Sequence, residues 1–289
     1  MGSLGRCGRS ARLSVPMVAF ALMVGCASSG SVGSGSLPSA GRTTSPSPSD
    51  MVFSGLVDIG GGRHLYAVCR GMTKPTILLE AGDENDISQW AAVMPRLVDH
   101  ARTCAYDRLG VGSSDPASGC RGPADLLGDT EGLLKALGEK GPYVLVGHSG
   151  GGFLMADFAY AHPEQVLGLV LVETPKAIDP KRAPKSLLTD INCHRATNME
   201  HRHYVAVENY AWSHQHRIGN IPMTVISNKF SPPYDDYEQP TNVRDQRGWF
   251  ALSPQARQVV VTSGHEVEEN QPDLVAREIL HVLSAISRT

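Results

Sequence analysis

Residues 51–289 predict a single α/β domain, a mostly parallel sheet covered by helices on both faces, and three features carry that reading. Short apolar runs such as "TILLE", "YVLVG" and "LGLVLV" show little polar alternation, as strands buried on both faces do. Helix-like stretches separate them, the pattern of parallel crossovers rather than hairpins. Finally, "GHSGG" stands at Gly147–Gly151, where a run of β-formers gives way to a run of helix-formers.

The elements follow in order. "GLVDIGGGRHLYAVCRG" reads as two strands joined by a Gly-rich turn. "KPTILLEAG" and "ARTCAYD" are short strands, with the amphipathic stretch "DISQWAAVMPRLVDH" expected as a helix between them. "PADLLGDTEGLLKALGE" is a helix, "YVLVGHS" a strand, and a second helix runs from about Gly150 to His162. "VLGLVLVE" is the next strand, and after a polar middle section "IPMTVISN" and "RQVVVTSG" are two more. "PDLVAREILHVLSAI" closes the domain as a helix.

The first fifty residues read differently. Arg6, Arg9 and Arg12 precede the apolar run "LSVPMVAFALMVG", which is too short for a permanent bilayer span, so residues 1–25 are expected to be a signal peptide. "LMVGC" resembles the lipobox of bacterial lipoproteins, which implies lipidation at Cys26 and attachment of the exported protein to the bacterial cell membrane. Cleavage near the following Ala-Ser-Ser, giving a simply secreted protein, is the alternative. Residues 26–50 are then the lipidated cysteine and a linker rich in Ser, Gly and Pro, too poor in large apolar groups to offset its ordering entropy. The 24 residues from Ala27 to Asp50 reach on the order of 25–30 Å as a flexible chain.

At 289 residues with 41% hydrophobic content, the chain can bury one sizeable core. A formal charge of −3 and few aromatics offer no electrostatic footing for nucleic acid. That partner class is set aside.

Gly-x-Ser-x-Gly at a strand-to-helix junction is the setting of a nucleophile elbow, which presents Ser149 above the sheet at the positive end of a helix. A serine alcohol needs a base. Of 11 histidines, His265 in "VVVTSGHEVEENQPDLV" sits just past a late strand and ahead of the closing helix, the position for a general base. His148 belongs to the elbow and is read as packing.

Taken together, "ILLEAGDENDISQW", "CAYDRLGVGSSD", "GHSGGG", "LVLVE" and "SGHEVEENQPDLV", in this order, resemble the α/β-hydrolase superfamily, in particular its bacterial secreted or lipoprotein esterase-like members. The resemblance spans residues 53–287. It implies an α/β-hydrolase fold with a small cap over about 174–220, and an oxyanion hole formed by the backbone N–H groups of Asp83 and Gly150. The family's His-Gly before the oxyanion loop is Ala81-Gly82 here. A carboxylate beside a developing oxyanion is unfavourable, so the Asp83 side chain is expected to point away.

The third triad member must lie between residues 150 and 264 if the order is serine, acid, histidine. Most superfamily members place it after the strand that is "IPMTVISN" here, but no carboxylate follows until Asp235 and Asp236. Glu173, ending "LVLVE", stands one strand earlier, where some relatives carry the acid. Glu173 is the first choice, Asp235 or Asp236 the alternative, and Asp245 a further site.

Export implies an oxidising setting for Cys69, Cys104, Cys120 and Cys193, whose three possible pairings the sequence alone leaves open. The fold implied by the resemblance sets the strand of Cys69 beside that of Cys104, pairing Cys69 with Cys104 and Cys120 with Cys193. In the cap, His194, His201, His203, His214 and His216 invite a zinc reading, but a hydrolase triad needs no metal or cofactor, and solvated histidines are the preferred reading.

The expected activity is therefore hydrolysis of carboxylic esters or related acyl compounds by a membrane-tethered, monomeric serine hydrolase acting on a small-molecule substrate. A peptidase, thioesterase or lactonase with the same triad, or a non-catalytic cell-envelope binding protein on this scaffold, are the alternatives.

Overall fold

The computed structural model describes residues 52–177, 179, 181, 193, 197–229 and 243–287. Cys26, His194, Asp235 and Asp236 lie outside the described residues. Within them, one sheet organises the chain: β1 (Val52–Gly60), β2 (Arg63–Arg70), β3 (Thr76–Glu80), β4 (Arg102–Tyr106), β5 (Tyr143–His148), β6 (Val166–Val172), β7 (Met223–Asn228) and β8 (Ala256–Val261). Their spatial order is β1-β2-β4-β3-β5-β6-β7-β8. β1 and β2 form an antiparallel hairpin and β2 runs antiparallel to β4, whereas every pair from β4 to β8 is parallel.

The parallel centre is buried on both faces, as its apolar runs require: every residue of β3 and β5 is inaccessible. Alternation still sorts the side chains. Leu78 and Leu145 join the core beneath α1 (Pro123–Ala136) and α2 (Ser149–Ala161). Ile77, Leu79, Val144 and Val146 face the other way, toward Val275, Ile279 and Val282 of the closing helix Pro272–Ile286.

The helix expected over residues 86–100 is not one. The stretch forms 3₁₀ turns at Ile87–Trp90 and Met94–Arg96. Pro95 explains the break, because it donates no N–H and its ring would collide with the carbonyl four residues back in an α-helix. The apolar spacing nevertheless does its packing, with Trp90, Val93 and Leu97 buried against the sheet.

Between β6 and β7 the chain leaves the sheet where the sequence expects the cap. Its helix α3 (Tyr204–Ser213) packs on α2 and α1. The preceding segment is stitched to the loop before α1: Arg121 N–H donates to His201 O at 2.8 Å, and His203 N–H to Arg121 O at 2.8 Å. A disulfide joins Cys120 to Cys193 in the same region. The other disulfide joins Cys69 to Cys104, directly paired residues of β2 and β4. No helix among the described residues is long and apolar enough to cross a membrane.

Candidate active site

β5 runs into α2 with no linker, and Ser149 takes the whole turn in a left-handed conformation, φ +47°. Such a backbone costs a non-glycine residue about 1–3 kcal/mol, so the surroundings must enforce it. They do: a Cβ on Gly147 would lie 2.6 Å from Gly152 Cα, and one on Gly151 would lie 2.1 Å from the Ala81 carbonyl oxygen. Only glycines let strand, turn and helix approach this closely.

His265 follows β8 in the loop leading to the short helix Val267–Asn270. Its Nδ1 is 3.7 Å from Glu173 Oε2, both side chains being largely withdrawn from solvent. That separation is electrostatic contact rather than a tight hydrogen bond, and such contacts commonly shorten when substrate binds. Glu173, at the tip of β6, has a left-handed backbone of its own, φ +46°. Its other oxygen, Oε1, accepts from the Asn228 backbone N–H at 2.5 Å and from Gln246 Nε2 at 3.2 Å. Asn228 closes the circuit, since its side-chain oxygen accepts from Ser263 N–H at 3.0 Å and so steadies the loop that carries His265. Asp245, the further acid candidate, lies on the single turn Val243–Gln246 with Arg244 at 3.6 Å.

His148 does more than pack. Fully buried, it donates from Nε2 to the His265 carbonyl at 3.0 Å, while Nδ1 meets Gln89 Nε2 at 3.1 Å. Gln89 Oε1 in turn accepts from Gly82 N–H at 2.8 Å. One buried imidazole thus connects the loop of His265 to the loop that begins at Gly82. Burial, and then the neighbouring His265, push it down to about 3, so it stays neutral. Beside it, Glu268 is completely buried and lifted to about 9, mainly by burial. Its Oε1 is 3.5 Å from His148 Nδ1, and neither oxygen has a hydrogen-bond partner among the described residues.

The Asp83 side chain does not turn away as expected. A Cβ on Gly150 would fall 2.0 Å from Asp83 Oδ1, so the carboxylate lies directly against the residue that follows the serine. The reason is Arg202, a buried guanidinium that needs a counter-charge. Its Nη1 pairs with Asp83 Oδ1, and its Nη2 donates to the Gly150 carbonyl at 2.8 Å. The negative charge is thereby neutralised in place.

A second buried cation braces the same loop from below. Arg108 binds Glu80 and the carbonyls of Ala81 at 2.7 Å and Gly82 at 2.6 Å, and it takes both oxygens of Glu200 at 2.7 Å. Glu200 Oε1 also accepts from Glu84 N–H at 2.6 Å. Burial alone would raise the Glu200 carboxyl, but Arg108 and then Arg202 hold it below its ordinary value. Further along α2, Asp157 is fully buried without a hydrogen-bond partner among the described residues, and burial lifts it to about 8 against the pull of Arg202.

Gln89, Arg108, Glu200, Arg202, Asn228 and Gln246 escaped the sequence reading. Arg108 lies inside the "CAYDRLG" run, and Arg202 between the two histidines that drew attention to the cap. Gln246 carried no signal at all. Of those cap histidines, His201 Nδ1 meets Gly119 O at 3.1 Å, His203 Nδ1 accepts from Ala206 N–H, and His214 stacks on Tyr210 at 3.9 Å. The one cluster of possible metal ligands among the described residues is instead His148, His265 and Glu266, whose ligand atoms lie within 4.8 Å of one another.

Strand order, the strained serine between β5 and α2, and the histidine beyond β8 define a hydrolase-type α/β fold. The profile of the alpha/beta hydrolase fold family matches residues 75–192, and the chain has the α/β-hydrolase fold. A thermophilic esterase from Thermogutta terrifontis superposes with a TM-score of 0.66 over 82% of this chain and 99% of that one, at 20% identity. YqjL, an uncharacterized protein of Bacillus subtilis, is 23% identical over 235 residues, covering 75% of this chain and 86% of its own. A probable transporter of Hormonema carpetanum, efuK, is 35% identical over 138 residues, 45% of this chain. The match covers only 20% of that protein's length.

Proposed function

We propose that the protein is a serine hydrolase of carboxylic esters or closely related acyl compounds, with Ser149 as nucleophile, His265 as general base and Glu173 as the acid. The observation that carries the reading is Glu173: one oxygen is held by Asn228 and Gln246, and the other is turned to His265 at 3.7 Å, in a fold whose Ser149 is strained into an elbow. In this reading His265 takes the proton as Ser149 Oγ attacks the acyl carbon, and Glu173 stabilises the imidazolium. The tetrahedral oxyanion is met by the N–H groups of Asp83 and Gly150, each such donor contributing about 3–4 kcal/mol of transition-state stabilisation. The protonated His265 then passes its proton to the leaving alcohol. Water, deprotonated by His265, cleaves the acyl-enzyme and regenerates the serine.

Localisation belongs to the same reading. A signal peptide, a lipidated Cys26 and a linker of some 24 residues would hold a monomeric enzyme on the outer side of the membrane it crossed, working on small acyl substrates. A fluorophosphonate probe followed by p-nitrophenyl esters of increasing chain length tests the activity. Labelling of Ser149 together with ester turnover is the expected result, and a protein that neither labels nor turns over any ester is a binding scaffold.

A further inference from the structure

We propose that His148, His265 and Glu266 form a site for a divalent transition metal of zinc type, and that a metal bound there takes the general base out of service. The metal-binding part rests on geometry alone; the consequence for turnover rests on the hydrolase reading.

The ligand atoms of the three residues lie within 4.8 Å of one another. The two imidazole rings are 4.6 Å apart between centroids and tilted by 58°, and His148 Nε2 is 3.5 Å from Glu266 Oε2. Tetrahedral zinc with bonds of about 2.0–2.1 Å spaces its ligand atoms roughly 3.3 Å apart, so this edge already has nearly the required length. Two imidazoles and a carboxylate, with water in the fourth position, are a donor set that zinc accepts. Glu266 is also the open side of the site, its side chain 40% exposed.

Glu268 is the independent observation. It is a fully buried carboxyl whose two oxygens lack hydrogen-bond partners among the described residues, and its Oε1 sits 3.5 Å from His148 Nδ1. Without metal, the His148 proton is assigned to Nε2, because that atom faces the His265 carbonyl at 3.0 Å. A metal on Nε2 requires the same proton to move to Nδ1, with none gained or lost by the ring. Nδ1–H then points at an oxygen of the buried Glu268 carboxyl, an outer partner of the kind that orients metal-bound imidazoles. Gln89 Nε2, now near Nδ1, keeps its second acceptor, Glu266 Oε2 at 3.2 Å. The His265 carbonyl loses a donor in the exchange, a cost that the new metal bonds offset.

Occupancy of either His265 nitrogen is inhibitory. Nε2 is the atom that must take the serine proton, and Nδ1 is the one that faces Glu173.

Calorimetric titration of zinc chloride into the full-length protein in chelator-free buffer tests the site. Binding of one zinc per chain is expected, weakened at least about 10-fold in Glu266→Gln and in Glu268→Gln, and unchanged in His203→Gln. Near-UV circular dichroism checks that each variant is folded, and Glu266→Gln alters a half-exposed position without changing its volume. In parallel, saturating zinc should slow fluorophosphonate labelling of Ser149 at least about 10-fold, with recovery on adding EDTA. No zinc binding, or wild-type affinity in Glu266→Gln, overturns the site. Binding that leaves labelling unchanged overturns the inhibition. Absence of labelling in metal-free wild type would count against the hydrolase reading, while calorimetry still decides the metal site.

Discussion

The Asn228 backbone N–H holds Glu173 Oε1 at 2.5 Å, which leaves Oε2 as the oxygen presented to His265. The end of β7 thus holds the carboxylate that stands at the tip of β6. Glu173→Gln should lower kcat by about 10³–10⁴ with little change in KM, because an amide can neither hold the histidine tautomer nor stabilise the imidazolium. Asp235→Asn and Asp236→Asn should stay near wild type. Steady-state hydrolysis of p-nitrophenyl acetate compares them, and a dead aspartate variant with an active Glu173→Gln would move the acid role.

Ser149→Ala should abolish labelling and turnover, since the attacking oxygen is gone. Ser149→Gly should be equally dead but more stable than Ser149→Ala by about 1 kcal/mol, because glycine relieves the left-handed strain that alanine keeps. Thermal unfolding of the two variants is the comparison. Equal midpoints would mean that the turn at φ +47° stores no strain.

Arg202 makes the charge of Asp83 tolerable beside Gly150. Arg202→Met should therefore cut kcat at least about 10-fold, as it leaves an uncompensated carboxylate where negative charge must develop. Adding Asp83→Asn to that variant should restore part of the loss. Two purely additive losses in the double-mutant cycle would show that Arg202 acts by packing alone.

Asp157 gives a pH prediction with a definite sign. Its carboxyl titrates at about 8 when folded, against an ordinary value of 3.8, because burial outweighs the attraction of Arg202. The folded state thus holds a proton that the unfolded state has released between these values, and this group's contribution to stability falls as pH rises from about 4 to about 8, at up to about 1.4 kcal/mol per pH unit. Asp157→Asn should be more stable than wild type at pH 8, with the advantage shrinking toward pH 4. Denaturant midpoints across that range measure it, and a pH-independent difference would contradict the assignment.

Cells grown on labelled palmitate should tag the wild type and not Cys26→Ser. Label retained in the variant would leave simple secretion in place of anchoring.

The fold was legible because its signals are local and strong. Buried parallel strands such as β3 and β5 read as unbroken apolar runs, and the elbow puts its glycines beside the residue they serve. Ser149, His265 and Glu173 stand at strand ends, where position in the chain predicts position in space. The buried polar supports were not legible. Arg108 meets Glu200 across 92 residues of sequence, and Glu173 meets Gln246 across 73, pairings that no local pattern encodes. The 3₁₀ turns at residues 86–100 show the reverse failure: the apolar spacing was right, but one proline changed the element.

The Cys120–Cys193 bond and the paired Arg121 hydrogen bonds also bear on how the chain between β6 and β7 can move. They fasten the described part of the segment between β6 and β7 to the loop before α1 by one covalent bond and two backbone hydrogen bonds. Under the hydrolase reading, that tie would oppose a lid-like swing of this flank when a substrate enters.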